Sequence, residues 1–223
     1  MSLSLDRSGN LWVGTVSGGL NKLDPKTEKF TRYLHDQKNT YSLSENFIVT
    51  INEDPVGNLW IGTAVSGLNR FDRKTGRFIH YKHDSGNPAS LSDNTVMCIY
   101  EDQSGIFWVG TWEGINKFDP EQSRFSNYWS LHGDQSSISD NYIWSICGSS
   151  IDEKEVLWVG TKSGGLNKLE RNTGKFTRYL HDSENSRSIP SNKISALFED
   201  QAGTLWIGTW GEGLIEFDQA REE

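Results

Sequence analysis

Apolar and polar residues follow one another along this chain in short runs, and each run is cut off by a turn. The unit from Asn46 to Asp93 shows the pattern most clearly. Phe47-Ile48-Val49-Thr50-Ile51 is a run rich in β-branched residues. Asp54-Pro55-Val56-Gly57-Asn58 carries turn chemistry. Leu59-Trp60-Ile61-Gly62-Thr63 follows, then a small loop, Ala64-Val65-Ser66-Gly67, and the run Leu68-Asn69-Arg70-Phe71. In Asp72-Arg73-Lys74-Thr75-Gly76 the glycine suits the left-handed position of a short hairpin loop. Arg77 to Tyr81 is the fourth run, and a polar loop from His83 to Ser92 leads onward. The spacing predicts four short strands per unit, and no helical period interrupts them.

The unit repeats. Trp-[Val/Ile]-Gly-Thr occurs at Trp12, Trp60, Trp108, Trp158 and Trp206, in steps of 48, 48, 50 and 48 residues. The fourth run recurs as Phe30 with Tyr33, Phe78 with Tyr81, Phe125 with Tyr128 and Phe176 with Tyr179. The third unit drops a residue after Thr111. The hairpin before Trp158 gains three, with Asp152 in register and Glu155 in place of the usual glycine. Helical solenoid repeats do not fit four strands at this period, whereas the blade of a β-propeller does. The expectation is an all-β propeller of antiparallel four-stranded blades, with residues 1–223 forming a single repeat region. There are about five blades, four of them complete. The fifth lacks its last strand, as a piece of a larger array would. Its open edge then either closes through Leu3–Leu5 or pairs with a second copy, since unpaired edges invite partners. The repeated Trp reads as a wedge between sheets, and the Gly two residues later as a point of close approach by a neighbouring backbone.

Composition narrows the function. The 223 residues carry a formal net charge of -8, so the basic face that nucleic acid requires is not expected. No apolar run approaches the roughly 18 residues that span a bilayer, and no apolar segment of a secretory signal follows Met1. Cys98 and Cys147 make neither a disulfide framework nor a zinc spacing. They fall on innermost strands of successive blades, where buried thiols are the expectation and a disulfide the alternative.

The full pattern is Asp-x-x-Gly-Asn-Leu-Trp-[Val/Ile]-Gly-Thr, then Gly-Leu-Asn-[Lys/Arg], Thr-Gly-x-Phe, His-Asp and Ser-Leu-Ser-x-Asn. It resembles the two-component regulator propeller repeat, and Asp6–Leu23, Asp54–Phe71, Asp102–Phe118 and Asp200–Phe217 carry its core. The resemblance implies the periplasmic sensor region of a hybrid histidine kinase or a related diguanylate cyclase. Its ligands would be polysaccharide breakdown products, as in gut Bacteroides-type members. It implies that any output domain and membrane segment lie outside these residues. The Asp turn is also similar to the Asp-box hairpin of sialidases, with a different spacing.

A feature copied in every blade is scaffold, so function is sought where blades differ. His35-Asp36, His83-Asp84 and His181-Asp182 recur at equivalent loop positions and are expected to hold their own loops rather than a metal. The acidic pairs Asp152-Glu153 and Glu222-Glu223 read as a solvated turn and a tail. No nucleophilic or general acid–base constellation, phosphate loop or cofactor motif stands out. The position after Gly-Thr varies as Val16, Ala64, Trp112, Lys162 and Trp210, and the long loop of the third blade brings Trp129. Variable loops on a constant frame mark a binding surface. Trp112, Trp129, Trp210 and Lys162 are therefore candidates for a small-molecule or oligosaccharide ligand. Local packing of each tryptophan beneath its loop is the competing reading. Trp144, on an innermost strand, either lines the channel or packs between blades. The expected function is extracytoplasmic ligand sensing. A protein-binding scaffold is the alternative, and a carbohydrate-active enzyme is less favoured.

Overall fold

The computed structural model describes residues 2–149 and 156–219. Asp152, Glu153, Glu155, Glu222 and Glu223 therefore lie outside the described residues. The described chain is all strand and turn, in five antiparallel sheets.

The first sheet runs β1 (Ser2–Leu5), β2 (Leu11–Gly14), β3 (Leu20–Asp24), β4 (Lys29–Tyr33). The second runs β5 (Ile48–Glu53), β6 (Leu59–Thr63), β7 (Leu68–Asp72), β8 (Arg77–Tyr81). The third holds β9 (Val96–Glu101), β10 (Phe107–Thr111), β11 (Gly114–Asp119) and β12 (Arg124–Tyr128). The fourth holds β13 (Ile143–Gly148), β14 (Val156–Thr161), β15 (Leu166–Glu170) and β16 (Lys175–Tyr179). The fifth has three strands among the described residues, β17 (Ile194–Glu199), β18 (Leu205–Thr209) and β19 (Leu214–Phe217). Each sheet is ordered as its strands follow in sequence. These are the blades of a β-propeller, as the four-run repeat predicts. Leu3–Leu5 belongs to the inner strand of the first blade, and among the described residues it is paired with β2 alone.

The chain divides into two compact units, Met1–Val109 with Asn116–Ser126, and Gly110–Ile115 with Asn127–Glu223. In the first unit each blade boundary has its own core. Trp12, Leu20, Leu43, Ile48, Phe71 and Phe78 fill one, and Trp60, Leu68, Leu91, Val96, Phe118 and Phe125 fill the next. In the second unit Trp158, Leu166, Ile189, Ile194, Ile207 and Phe217 repeat the arrangement. Each cluster takes one apolar residue from the long loop (Leu43, Leu91 or Ile189), which explains the Leu-Ser or Ile-Pro that closes that loop.

The repeat tryptophans are packing residues with one polar obligation. Trp12, Trp60, Trp108 and Trp158 are at most 1% exposed. A buried indole N–H needs an acceptor. The turn aspartate six residues earlier supplies it, with Nε1 donating to Asp6 at 2.8 Å, Asp54 at 3.0 Å, Asp102 at 2.9 Å and Asp200 at 2.9 Å. Trp158 donates to Oε1 of Gln219 at 2.8 Å. The Gly two residues after the Trp is needed for close approach, though by a side chain rather than by backbone. A Cβ on Gly62 would lie 2.6 Å from Val96 Cγ1, and one on Gly160 2.6 Å from Ile194 Cγ2.

Candidate functional site: an aromatic row on the variable loops

The loop after each second strand is clasped by the threonine of Trp-x-Gly-Thr. Thr63 Oγ1 donates to the Gly67 carbonyl at 2.8 Å and accepts the Ser66 N–H at 3.1 Å. Thr161 does the same with Gly165 and Gly164, at 2.9 Å each. The residue just after this threonine is then pinned by its own N–H. Ala64 donates to the Phe47 carbonyl at 3.2 Å, Lys162 to Tyr142 at 2.9 Å and Trp210 to Lys193 at 2.9 Å. In these three blades the scaffold thus holds the variable residue beside the one that precedes the innermost strand of the same blade, whatever the two side chains are.

A second device lies one step further along. The pairing of β13 with β14 slips between Ile143 and Ser145, and that of β17 with β18 between Ile194 and Ala196. Trp144 is the extra residue of the first bulge. Bulges re-aim side chains and are common beside binding sites. Ile143, before it, stays fully buried, so the bulge separates a core position from a partly exposed one.

These devices place an aromatic row within the second unit. The rings of Trp112 and Tyr142 lie 5.8 Å apart at 58°, and those of Trp144 and Trp210 lie 6.0 Å apart at 44°. Tyr142 and Trp144 flank Ile143 in sequence, so one short segment supplies a ring to each pair. The Lys162 ammonium stands 4.7 Å over the Tyr142 ring, within cation–π range. Trp112 is 46% exposed, Tyr142 37% and Trp210 69%, so ring faces remain open to solvent. Trp144 is half-buried, and its ring lies tilted against that of Trp210, a contact between the fourth blade and the fifth.

Trp129 is placed differently. It is 43% exposed and packs at Gly114, where a built Cβ would lie 3.2 Å from its Cδ1. Among the described residues it makes no ring contact with the row. Tyr142 escaped the sequence reading. Its signal is the variation of its position, occupied by Phe47, Thr95, Tyr142 and Lys193 in successive blades.

The loop histidines hold their loops. His35 Nδ1 meets the Leu43 carbonyl at 2.8 Å, His83 Nδ1 that of Leu91 at 2.8 Å, and His181 Nδ1 that of Ile189 at 2.9 Å. Their main-chain N–H groups donate to Asn46, Asn94 and Asn192 at 2.8, 2.9 and 2.7 Å. Cys98 and Cys147 are thiols, each half-buried rather than fully buried, and burial pushes the Cys147 thiol up.

Residues 42–64, 90–113 and 188–211 match the family model of the two component regulator propeller, so the chain carries two-component regulator propeller repeats. Two of these stretches include Trp112 and Trp210, while Tyr142 and Trp144 fall between matches. No curated protein sequence matches the chain. Among solved structures it is similar to the extracellular domain of a hybrid two-component system of B. thetaiotaomicron. Identity is 28% and the TM-score 0.85, over 100% of this chain and 29% of that one. A second such domain from B. thetaiotaomicron is 24% identical with a TM-score of 0.78, over 96% of this chain and 26% of the other, and shares the fold. The virginiamycin B lyase of Staphylococcus aureus, 15% identical with a TM-score of 0.70 over 98% of this chain and 66% of the lyase, likewise shares the fold alone. The chain thus spans 29% and 26% of the two sensor domains.

Proposed function

We propose that these repeats form part of the extracytoplasmic sensing region of a membrane-bound two-component signalling protein. In this reading they bind a carbohydrate or another small ligand on the row Trp112, Tyr142, Trp144 and Trp210, with Lys162 at its side. The carrying observation is where the aromatics lie: on positions that the repeat leaves variable and the scaffold holds fixed. Exposed ring faces suit the apolar C–H faces of pyranose rings, and a propeller whose loops differ on one side needs no catalytic group to recognise a ligand. Likeness to the B. thetaiotaomicron sensor domain supports the extracytoplasmic setting. Likeness to the lyase, at 15% identity, carries only fold, so the reading is binding without turnover.

Thermal shift and calorimetry with an oligosaccharide panel test the proposal. A ligand at about 100 times its Kd stabilises the native state by about 2.7 kcal/mol. Trp210→Ala, at an exposed position, is expected to weaken binding about tenfold, as loss of one aromatic contact implies. Product formation would replace sensing with catalysis. A Trp210→Ala variant that binds the panel as the parent does would remove the row from the site.

A further inference from the structure

A cavity of about 650 Å³ opens in the first unit, among turns on which the ligand proposal does not depend. Arg7 and the turn after β1 form one wall. The turn of residues 55–58, Arg70 and the segment Asp72–Lys74 form the rest. Four cations, Arg7, Arg70, Arg73 and Lys74, meet there in a chain of net charge -8, with Glu53 and Asp72 as the carboxylates of the lining.

Arg7 departs from the repeat, and Arg73 has an arginine counterpart only in the fourth blade. Pro55, Gln103 and Gln201 hold the place of Arg7 in other blades. Pro25, Pro120, Arg171 and Gln219 hold that of Arg73, and none of these is followed by lysine except Pro25. The carboxylates are already engaged. Glu53 accepts from Arg73 Nη2 at 2.7 Å and from the Arg7 N–H at 2.8 Å. Asp72 accepts the Lys74 N–H and the Thr75 hydroxyl at 2.8 Å each, and these bonds hold its carboxyl below the usual range. Arg7 spends one guanidinium donor on the Pro55 carbonyl. Among the described residues, Arg70 and Lys74 form no ion pair, and the Nε–H groups of Arg70 and Arg73 are buried without an acceptor.

We propose that this cavity binds an oxyanion group, a carboxylate, sulfate or phosphate, free or carried on a small ligand. Arg73 is held by Asp6 and Glu53, so the donors come from the Arg7 and Arg70 guanidinium groups, and Lys74 adds a point charge. The bound group lies between the turn of the first blade and the turns of the second, so its occupancy ties the two together.

Titration of the whole 15N-labelled chain with inorganic phosphate, sulfate and glucuronate, at constant ionic strength against chloride, tests the site. Saturable shifts confined to the amides of Arg7, Ser8, residues 56–58 and Lys74 are expected. Arg7→Gln and Lys74→Gln, both at exposed positions, should each weaken binding about tenfold, in line with a lost charge-assisted bond. Stronger binding of glucuronate than of phosphate or sulfate assigns the site to an acidic sugar, and the reverse assigns it to an inorganic ion. The proposal is overturned if no anion gives saturable shifts beyond chloride, or if both variants bind as the parent does. Because Trp210→Ala leaves this cavity untouched, failure at the aromatic row and failure here are read separately.

Discussion

Two blade boundaries in the first unit share one frame and treat an acid in opposite ways. Between the first and second blades, Arg73 reaches back from the turn after β7. Its Nη1 meets Asp6 at 2.9 Å, its Nη2 meets Glu53 at 2.7 Å, and its guanidinium lies 5.5 Å from the Trp12 ring. Burial pushes the Asp6 carboxyl up, but the bonds from Trp12 and Asn10, with Arg73 behind them, outweigh it and hold the group at about 2. Between the second and third blades the frame recurs, with Trp60 and Asn58 both bonded to Asp54. Glu101 takes the place of Glu53, but Pro120 stands where Arg73 would. Burial, then Asp54, push Glu101 up to about 7, with Asp102 adding to the rise and Arg7 only partly countering it. The repeat sets where an acid sits. One residue outside the repeat decides whether that acid clasps two blades or takes up a proton near neutrality. In the second unit a neutral residue fills the same place: Gln219 accepts from Trp158 and donates to Glu199 at 2.9 Å and to the Gly203 carbonyl at 2.7 Å.

Arg73→Ala tests the clasp most severely. It strands two carboxylates whose side chains are 0% and 9% exposed, and removing one partner of a buried pair costs about 3 kcal/mol. Urea unfolding at neutral pH should show that loss. The Asp6 carboxyl is depressed in the folded chain, so its stabilisation is present above about 3.8 and lost as the pH falls towards 2. The gap between parent and variant should therefore close on acidification. A gap unchanged down to pH 2 would assign the loss to packing against Trp12 instead.

Pro120→Arg runs the comparison in reverse. The new side chain starts from the same turn position as Arg73 and faces Asp54 and Glu101. Losing the proline returns about 0.4–1 kcal/mol of entropy to the unfolded chain. A net gain of about 1 kcal/mol at pH 8 is expected, because among the described residues Asp54 and Glu101 form no ion pair. NMR titration should find the Glu101 midpoint well below neutral in the variant. A midpoint still near 7 would show that the turn does not deliver the guanidinium.

The frame common to these boundaries was legible in the sequence, because local spacing carries it. The Trp bonds its Asp six residues back, the Thr bonds its loop glycine four residues on, and the second and fourth strands of the second blade occupy the residues the alternation predicts. The clasp was not legible. Arg73 and Asp6 are 67 residues apart, and no local rule pairs them. The aromatic row was legible in part. Trp112 and Trp210 were visible as departures from the repeat, but the contact of Trp144 with Trp210 depends on a bulge that no residue type announces. Tyr142 was not legible, because its carbonyl accepts the Lys162 N–H across a hairpin that no local rule pairs.

Glu101→Gln should give the smallest effect and the sharpest reading of the comparison. A carboxyl whose folded value rises from 4.5 to about 7 keeps its proton in the folded chain where the unfolded chain has lost it. Its contribution is fully present below about 4.5 and is lost as the pH rises through 7, where the folded chain must hold a charge near Asp54 and Asp102. Gln carries no charge at any pH. Parent and variant should therefore melt together near pH 4.5 and separate between pH 5 and 7, the variant melting higher, with a constant difference above that. Glu101 is only partly buried, so solvent screening keeps the plateau below about 1 kcal/mol. In the Pro120→Arg background the order should invert, because Glu101 would then have a cation to pair with and Gln would discard it. A difference of one sign at every pH in both backgrounds would mean that Glu101 acts through its shape, and that the two boundaries differ in less than their charge.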